Sequence, residues 1–450
     1  MKRFLGILLS LLLVCSAFSF ASAEGADVPA FDSFELGKDY TDLTAKIKWL
    51  THRTDLVDNG AITQYVAEFN KVYPNITVEV EGITDFAQES LIRLTGSDDW
   101  GDVMGIPAVE LSELSTYFAP YGTLEAMKDT YNFIDNKQFE GVVYGVPTTG
   151  NANGIVYNKA VFAAAGITEL PKTPDQFIAA LQAIKDKTDA IPLYTNYAAG
   201  WTMGAWDSYL PASVGDADFS NNNFLHAKDP FSATTDGTGP YAVYKILYDA
   251  TAKGLIEDDY TTTDWEGCKP MINNGQIGCM VLGSWAFSQM RDAVGGEHPE
   301  DVGYMPFPVT APDGKQYAPS GADYCYGINC KVDASRQTAA MVFVKWMTYE
   351  SNFAYNEGGI PIVKTGNYPD LYSSFGDCDF LVQNVAAEGE DSLKDEMNAE
   401  STLMIDNGGN EKVQKIVEHG FNGDMSFDDI MNSWNELWSD AQESLGVAVR

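Results

Sequence analysis

Between Lys46 and Ile106 the chain alternates strand-like and helix-like periods, and this alternation restricts its fold more than any other feature. KIKWLTH (Lys46 to His52) spells a short strand, after which Ile62, Tyr65, Val66, Phe69 and Val72 recur at helical spacing until Pro74. ITVEV (Ile76 to Val80) is a second strand, Phe86 to Leu94 a short helix, and DVMGI (Asp102 to Ile106) a third, apolar strand. Strands separated by helices of this length pair in parallel, so the chain is expected to be an α/β protein.

The alternation restarts after a polar stretch, GVPTTGNAN, whose Thr148, Thr149, Gly150, Asn151 and Asn153 precede the strand GIVYN (Gly154 to Asn158). Lys159 to Ala165 is expected as a helix closed by Gly166. The next helix opens with Thr173 as N-cap, Pro174 at the first position and Gln176 at the third. Helices follow at Tyr241 to Lys253 and Asp264 to Asn274, then the strand GCMVL (Gly278 to Leu282), strand-like runs at 302–309 and 324–330, a helix from Ser335 to Tyr349 and a helical tail. A chain of 450 residues exceeds what one hydrophobic core supports, so two domains are expected.

The first 23 residues stand outside that expectation. Lys2 and Arg3 precede an apolar run from Phe4 to Val14, and ASA at 21–23 fits a cleavage site, the pattern of a signal peptide and hence of an exported protein. Lipid attachment at Cys15 is disfavoured because Val14 is bulky. The formal net charge is −36, and loss of the leader removes two further cations. Nucleic acid and anionic membrane surfaces both need basic patches, so neither is an expected partner. Five cysteines remain beyond the leader, and an oxidising compartment allows Cys268 with Cys279 and Cys325 with Cys330 as local disulfides, leaving Cys378. The four histidines and the thiols do not fall at zinc-ligand spacing, and no other cofactor motif is present.

An exported, acidic, aromatic-rich chain could be a glycosidase, which needs two carboxylates facing each other about 5–10 Å apart. No acid stands in a recognisable catalytic frame, and the acidic turn at Glu257, Asp258 and Asp259 is expected to be solvated. Asp216, Asp218, Ser220 and Asn222 alternate like a calcium loop but lack its central glycine and terminal glutamate. A sugar binder instead needs flat aromatic platforms beside short polar side chains. Trp285 follows a strand at its carboxyl end, where open α/β sheets hold ligands; Trp201 and Trp206 are flanked by Gly200 and Gly204. His52, Arg53 and Thr54 follow the first strand and Ile106 the third, Thr149, Asn151 and Asn153 lie in the polar stretch, and Asp323 stands beside Tyr324.

Several segments together resemble the family 1 extracellular solute-binding proteins of ATP-driven sugar importers, the group that includes maltose-binding protein. They are AEFNKVYPNITVEV, YGVPTTGNANGIVYNKAVFAAAGITELPKTPDQF (144–177), INNGQIGCMVLGSWAF (272–287), GINCKVDASRQTAAMVFVKWM and NEGGIPIVK, in the family's order. The resemblance implies two α/β lobes around a ligand cleft, joined by a multi-strand hinge whose first crossing is the polar stretch. It implies a first lobe at 45–149 and 306–350, a second at 150–305 and 351–450, and an N-terminal leader at 24–44 outside both. It further implies a monomer that binds a mono- or oligosaccharide and delivers it to permease subunits in the membrane. Trp285 falls on the family's stacking tryptophan, Arg53 and its neighbours on polar contacts after the first strand, Trp201 and Trp206 on the second-lobe segment near the sugar, and Asp323 on the loop before the G-I-N strand. Gly105, Ile106 and Pro107 stand where maltose-binding protein has an aromatic and an acid, which speaks against maltose specificity. A secreted glycoside hydrolase and a binder of a non-sugar solute are the alternatives.

Overall fold

The structure, a computed structural model, describes residues 28–406 and 410–450; the expected leader peptide at 1–23, with Cys15, lies outside them. Eleven strands organise the molecule: β1 (Ala45–Thr51), β2 (Ile76–Gly82), β3 (Val103–Gly105), β4 (Val146–Pro147), β5 (Gly150–Asn158), β6 (Ile191–Leu193), β7 (Ile277–Gly283), β8 (Val302–Met305), β9 (Tyr317–Ala322), β10 (Cys325–Ile328) and β11 (Asp379–Leu381). The first sheet has the order β2-β1-β3-β10-β4, with β1 parallel to both β2 and β3 as the alternation predicts, and β10 antiparallel to its neighbours. The second has the order β11-β9-β5-β7-β6, with β8 also on β5. Short pairs at 122–123, 138–139 and 142–143 form a separate small sheet.

Helices cover both sheets, and each lobe has its own core. In the first lobe the helices Ala61–Val72 and Ala334–Tyr349 bring Phe69, Phe343 and Trp346 onto Trp49 of β1 and Tyr326 of β10. In the second, Trp206, Phe307, Trp434 and Trp438 share one apolar cluster, the last two from the helix Phe427–Leu445. The helix Pro174–Lys187 begins as its sequence dictates: the Gln176 amide donates to Thr173 Oγ1, and Gln176 Oε1 accepts from the Lys172 amide.

Long β5 joins the halves. Its first residues pair with the end of β9, and Gly150 bridges Ile360 through two backbone hydrogen bonds of 2.6 and 2.9 Å; from Asn153 onward it pairs with β7 inside the second sheet. The chain therefore passes between the lobes near 148–151, 320–324 and 357–371.

Five expectations are corrected. Residues 28–44 are not a leader free of the fold, because Phe31 and Phe34 are buried in the first core. Lys345 fixes them: its ammonium donates to the carbonyls of Phe31 (2.7 Å) and Phe34 (2.6 Å) and lies 4.4 Å from the Phe34 ring centroid. Residues 306–322 belong with the second lobe, where Phe307 and Val309 join its main cluster and β9 pairs with β5. Phe353 and Ile362, expected in the second lobe, pack in the first. The five thiols among the described residues are unpaired: Cys268 and Cys279 lie in different apolar clusters, and Cys330 donates instead to the Thr116 carbonyl. Glu257, expected in a solvated turn, is buried and accepts from the Thr195 amide and hydroxyl.

Candidate functional site

Because β1 and β3 are parallel, their carboxyl ends open onto the same edge, and a cavity lies there. His52 and Arg53 continue from β1 into it, Gly105 ends β3, and the crossings supply Thr148 and Asp323. Glycine is needed at 105, since a Cβ there would stand 3.0 Å from Tyr324 Cβ. The Tyr324 ring consequently fills that space and meets His52 at a centroid separation of 4.7 Å, with Phe86 behind it at 5.0 Å. His52 Nε2 is 3.9 Å from Asp323 Oδ2, while Asp323 Oδ1 accepts from the Tyr324 amide. Burial lowers the imidazole pKa against the pull of Asp323, so the ring is held neutral.

Two further groups give the cavity its polarity. Thr148 Oγ1 and the Tyr326 hydroxyl are buried, line it, and have no hydrogen-bond partner among the described residues. A buried hydroxyl without a partner costs about 1–3 kcal/mol, so both favour a polar guest, and the cavity as it stands, about 10 Å³, has room for one the size of a water molecule.

Arg53 lines the same cavity, with its Nε and Nη2 donors engaged by protein carboxylates. Nε and Nη2 grip Asp55 at 2.9 and 2.7 Å, and Nη2 also reaches Glu357 Oε2 at 2.9 Å. Burial opposes its charge, yet the two carboxylates outweigh that and raise its pKa. Thr54 opens the short helix Thr54–Asp58 and sets its methyl against Gly82. Ile106 is buried among Leu50, Phe86, Met104 and Phe118, so the expectation that it faces the cleft is corrected.

The second lobe contributes indoles. Trp285 opens the helix Trp285–Arg291 directly after β7, and a Cβ on Gly283 would overlap its indole nitrogen, so glycine is what lets the ring fold back over the strand end. Trp201 stands 5.5 Å from Trp285, Trp265 stands 5.7 Å from it, and the Trp201–Trp265 separation is 5.0 Å. Trp201 is 43% exposed. Sequence reasoning missed Trp265; its signal was the Asp264 N-cap, which places an aromatic at the first position of the helix Trp265–Asn273. Lys269, one turn on, holds its ammonium 4.8 Å from the Trp265 ring centroid. Trp206 is 2% exposed and packs edge-on against Phe307, so it is core and not platform.

Between these two faces the polar stretch divides in function. Thr149 is buried, with its hydroxyl within reach of the Gly150 and Ile360 carbonyls, and serves the hinge. Asn151 Oδ1 accepts from Ser284 at 3.4 Å, and Asn153, half-buried on β5, pairs in register with Gly283. His52, Arg53 and Asp323 thus line the first-lobe cavity with Tyr324 against His52, Trp201 and Trp285 belong to the second-lobe indole cluster, and Ile106, Thr149 and Trp206 are buried. The sequence's calcium-like loop is occupied by protein: Asp218 Oδ1 accepts from Asn222 and Asn384, and Asp216 Oδ2 from Asn223.

Two α/β lobes on crossing strands, with a polar cavity on one and an aromatic face on the other, define a solute-binding protein. Residues 53–352 match the family described as bacterial extracellular solute-binding protein, and the chain belongs to that family. It is 47% identical, with a TM-score of 0.88, to a manno-oligosaccharide specific solute binding protein from Bifidobacterium animalis subsp. lactis, solved in complex with mannotriose; the match covers 92% of this chain and 99% of that one. A binding protein of an ABC transporter from the same organism, solved with mannobiose, is 45% identical at a TM-score of 0.88, covering 92% and 99%. The multiple sugar-binding protein of Streptococcus mutans is 24% identical over 330 residues, 70% of this chain and 74% of that protein.

Proposed function

We propose that this protein captures a manno-oligosaccharide outside the cytoplasm and delivers it, chemically unchanged, to the permease of an ATP-driven importer. The observation that carries this reading is the pairing of the hydroxyl-lined cavity with the Trp201–Trp265–Trp285 cluster, in a chain 47% identical to a protein solved with mannotriose. Pyranose rings offer a hydroxyl edge and a C–H face, which this pairing matches. Thr148, Tyr326, Asp323 and His52 would meet the hydroxyls, and Trp285 would stack on the ring face. The protein works as a monomer in the periplasm or at the outer cell surface. We adopt 28–148 with 323–364 as the first lobe and 150–322 with 371–450 as the second, a division supported by Phe31, Phe353 and Ile362 in one core and Phe307 and Val309 in the other.

Calorimetry with mannobiose, mannotriose, maltotriose and cellotriose tests this. Mannotriose is expected to bind and maltotriose not to, and Trp285→Ala to weaken mannotriose by about 30-fold, the equivalent of about 2 kcal/mol. Failure of every mannoside to bind, or release of free mannose on incubation, would overturn it.

A further inference from the structure

The indole cluster rests on two loops that leave the second sheet side by side. β6 and β7 are parallel, so the segment Tyr194 to Gly200, which follows β6, emerges at the same edge as Trp285. A second segment, Leu255 to Asp264, runs alongside it: the Leu193 amide donates to the Leu255 carbonyl at 3.0 Å, and Leu193 bridges Ile256 in parallel. The first loop ends in Trp201 and the second in Trp265, whose rings meet at 5.0 Å.

The first loop does not follow its local preferences. Asn196 takes φ +55°, and its fully buried carboxamide has no partner among the described residues for either its oxygen or its nitrogen. Gly200 takes φ +67° directly before Trp201. Polar groups buried without partners cost free energy, so this path has to be held from outside the loop.

Glu257, on the second loop, supplies the hold. It is 5% exposed, and Thr195 donates to it twice, the amide to Oε2 at 2.9 Å and the hydroxyl to Oε1. A carboxylate accepts at both oxygens, so it takes both donors at once. The Thr195 hydroxyl oxygen also accepts from the Tyr197 amide at 3.2 Å, which carries the grip on Glu257 into the turn that leads to Trp201. Further ties repeat the pattern toward the indoles. The Ala198 amide donates to Thr263 Oγ1 at 2.8 Å, the Tyr197 and Tyr260 rings meet at 4.7 Å, and the Asp264 amide donates to the Tyr194 hydroxyl at 2.9 Å. Asp264 is the N-cap of the helix Trp265–Asn273, so the last tie fixes where Trp265 begins.

We propose that Glu257 is a positioning residue for sugar binding: by fastening Thr195 to the segment before Trp265, it holds Trp201 and Trp265 at the spacing at which they flank Trp285. The proposal rests on the reading of the indole cluster as a sugar platform, and adds to it a residue that acts without touching the sugar.

Fluorine NMR of ligand-free, 5-fluorotryptophan-labelled protein, assigned with single Trp-to-Phe variants, and mannotriose calorimetry test it. Glu257→Gln keeps the shape of the side chain but offers one acceptor oxygen in place of two. It is expected to shift the Trp201 and Trp265 resonances, to leave those of Trp49 in the first lobe and Trp434 in the second core in place, and to weaken mannotriose about three- to tenfold. Asp258→Asn removes an exposed carboxylate one position along and should change neither the resonances nor the affinity. Thr195→Val deletes one of the two donors and keeps the other, so it should move the Trp201 and Trp265 resonances, and it decides the matter if Glu257→Gln does not fold. Unmoved Trp201 and Trp265 resonances, a shift that spreads equally to Trp49 and Trp434, or an unchanged mannotriose affinity overturns the proposal. Should the wild type fail to bind mannotriose at all, the functional reading falls, and the resonances of the ligand-free protein still decide the positioning.

Discussion

Trp201, Trp206, Trp265 and Trp285 carry the same side chain into opposite roles, and only their neighbours separate them. The sequence shows Trp285 as a platform because it follows an apolar strand. It cannot divide Trp201 from Trp206, both flanked by glycine, because the divider is Phe307, about a hundred residues away and edge-on to Trp206 alone. Trp206→Ala should therefore cost about 3–5 kcal/mol of stability by leaving a cavity, whereas Trp201→Ala should leave the urea midpoint nearly unchanged. Equal losses for the two variants in denaturant titrations would contradict these placements. Arg53 was legible as a special cation but not as one tied to Glu357, which lies 304 positions away. His52 adds a pH dependence. Its pKa is lowered from 6.5 by burial, so the fold favours the neutral ring. That contribution is fully present above pH 6.5 and is lost as pH falls toward the folded-state pKa. Urea unfolding at about pH 7.5 and about pH 5.5 should show wild type losing more stability over that window than His52→Gln.

At the scale of elements, the βαβ order, the Thr173 cap and the strand after the polar stretch were all legible, because periodicity and capping are local signals. The hinge was legible in composition and not in geometry. Its glycines serve contact more than flexibility: a Cβ on Gly150 would overlap the Phe133 ring and stand 3.0 Å from Ile360 Cβ. Gly150→Ala is thus expected to destabilise the protein by about 1–3 kcal/mol through overpacking. Calorimetric melting would reveal it, and an unchanged or raised Tm would show that the crossing has room to spare. The segment 28–44 escaped sequence reasoning because Phe31 and Phe34 stand in a largely polar run without a period, and their partner Lys345 lies more than three hundred positions away. The strand at 317–322 was assigned to the wrong lobe for a related reason, since it ends at a crossing and its pairing partner β5 decides the matter.

For the whole molecule, two α/β lobes about a cleft followed from length, alternation and the ordered set of segments. Thiol pairing did not, because short separation in sequence does not place side chains on one face. Cys268, on the Trp265–Asn273 helix, and Cys279, on β7, are assigned to separate apolar clusters, and burial pushes the Cys268 and Cys325 thiols up to about 12 and Cys279 higher. Thiols so protonated are poor nucleophiles at neutral pH. Reductant should leave Tm unchanged, and a thiol reagent should react slowly with these three in the native protein and at once after denaturation. A drop in Tm on reduction would show that a bridge exists.

The strand order of the first sheet has a temporal consequence. Residues 325–328 lie between 103–105 and 146–147, so a ribosome must make some two hundred further residues before that gap is filled. Until then 103–105 presents a bare edge, open to pairing with another chain. The long interval between partners slows closure of that half and leaves nascent or truncated chains in need of protection from aggregation.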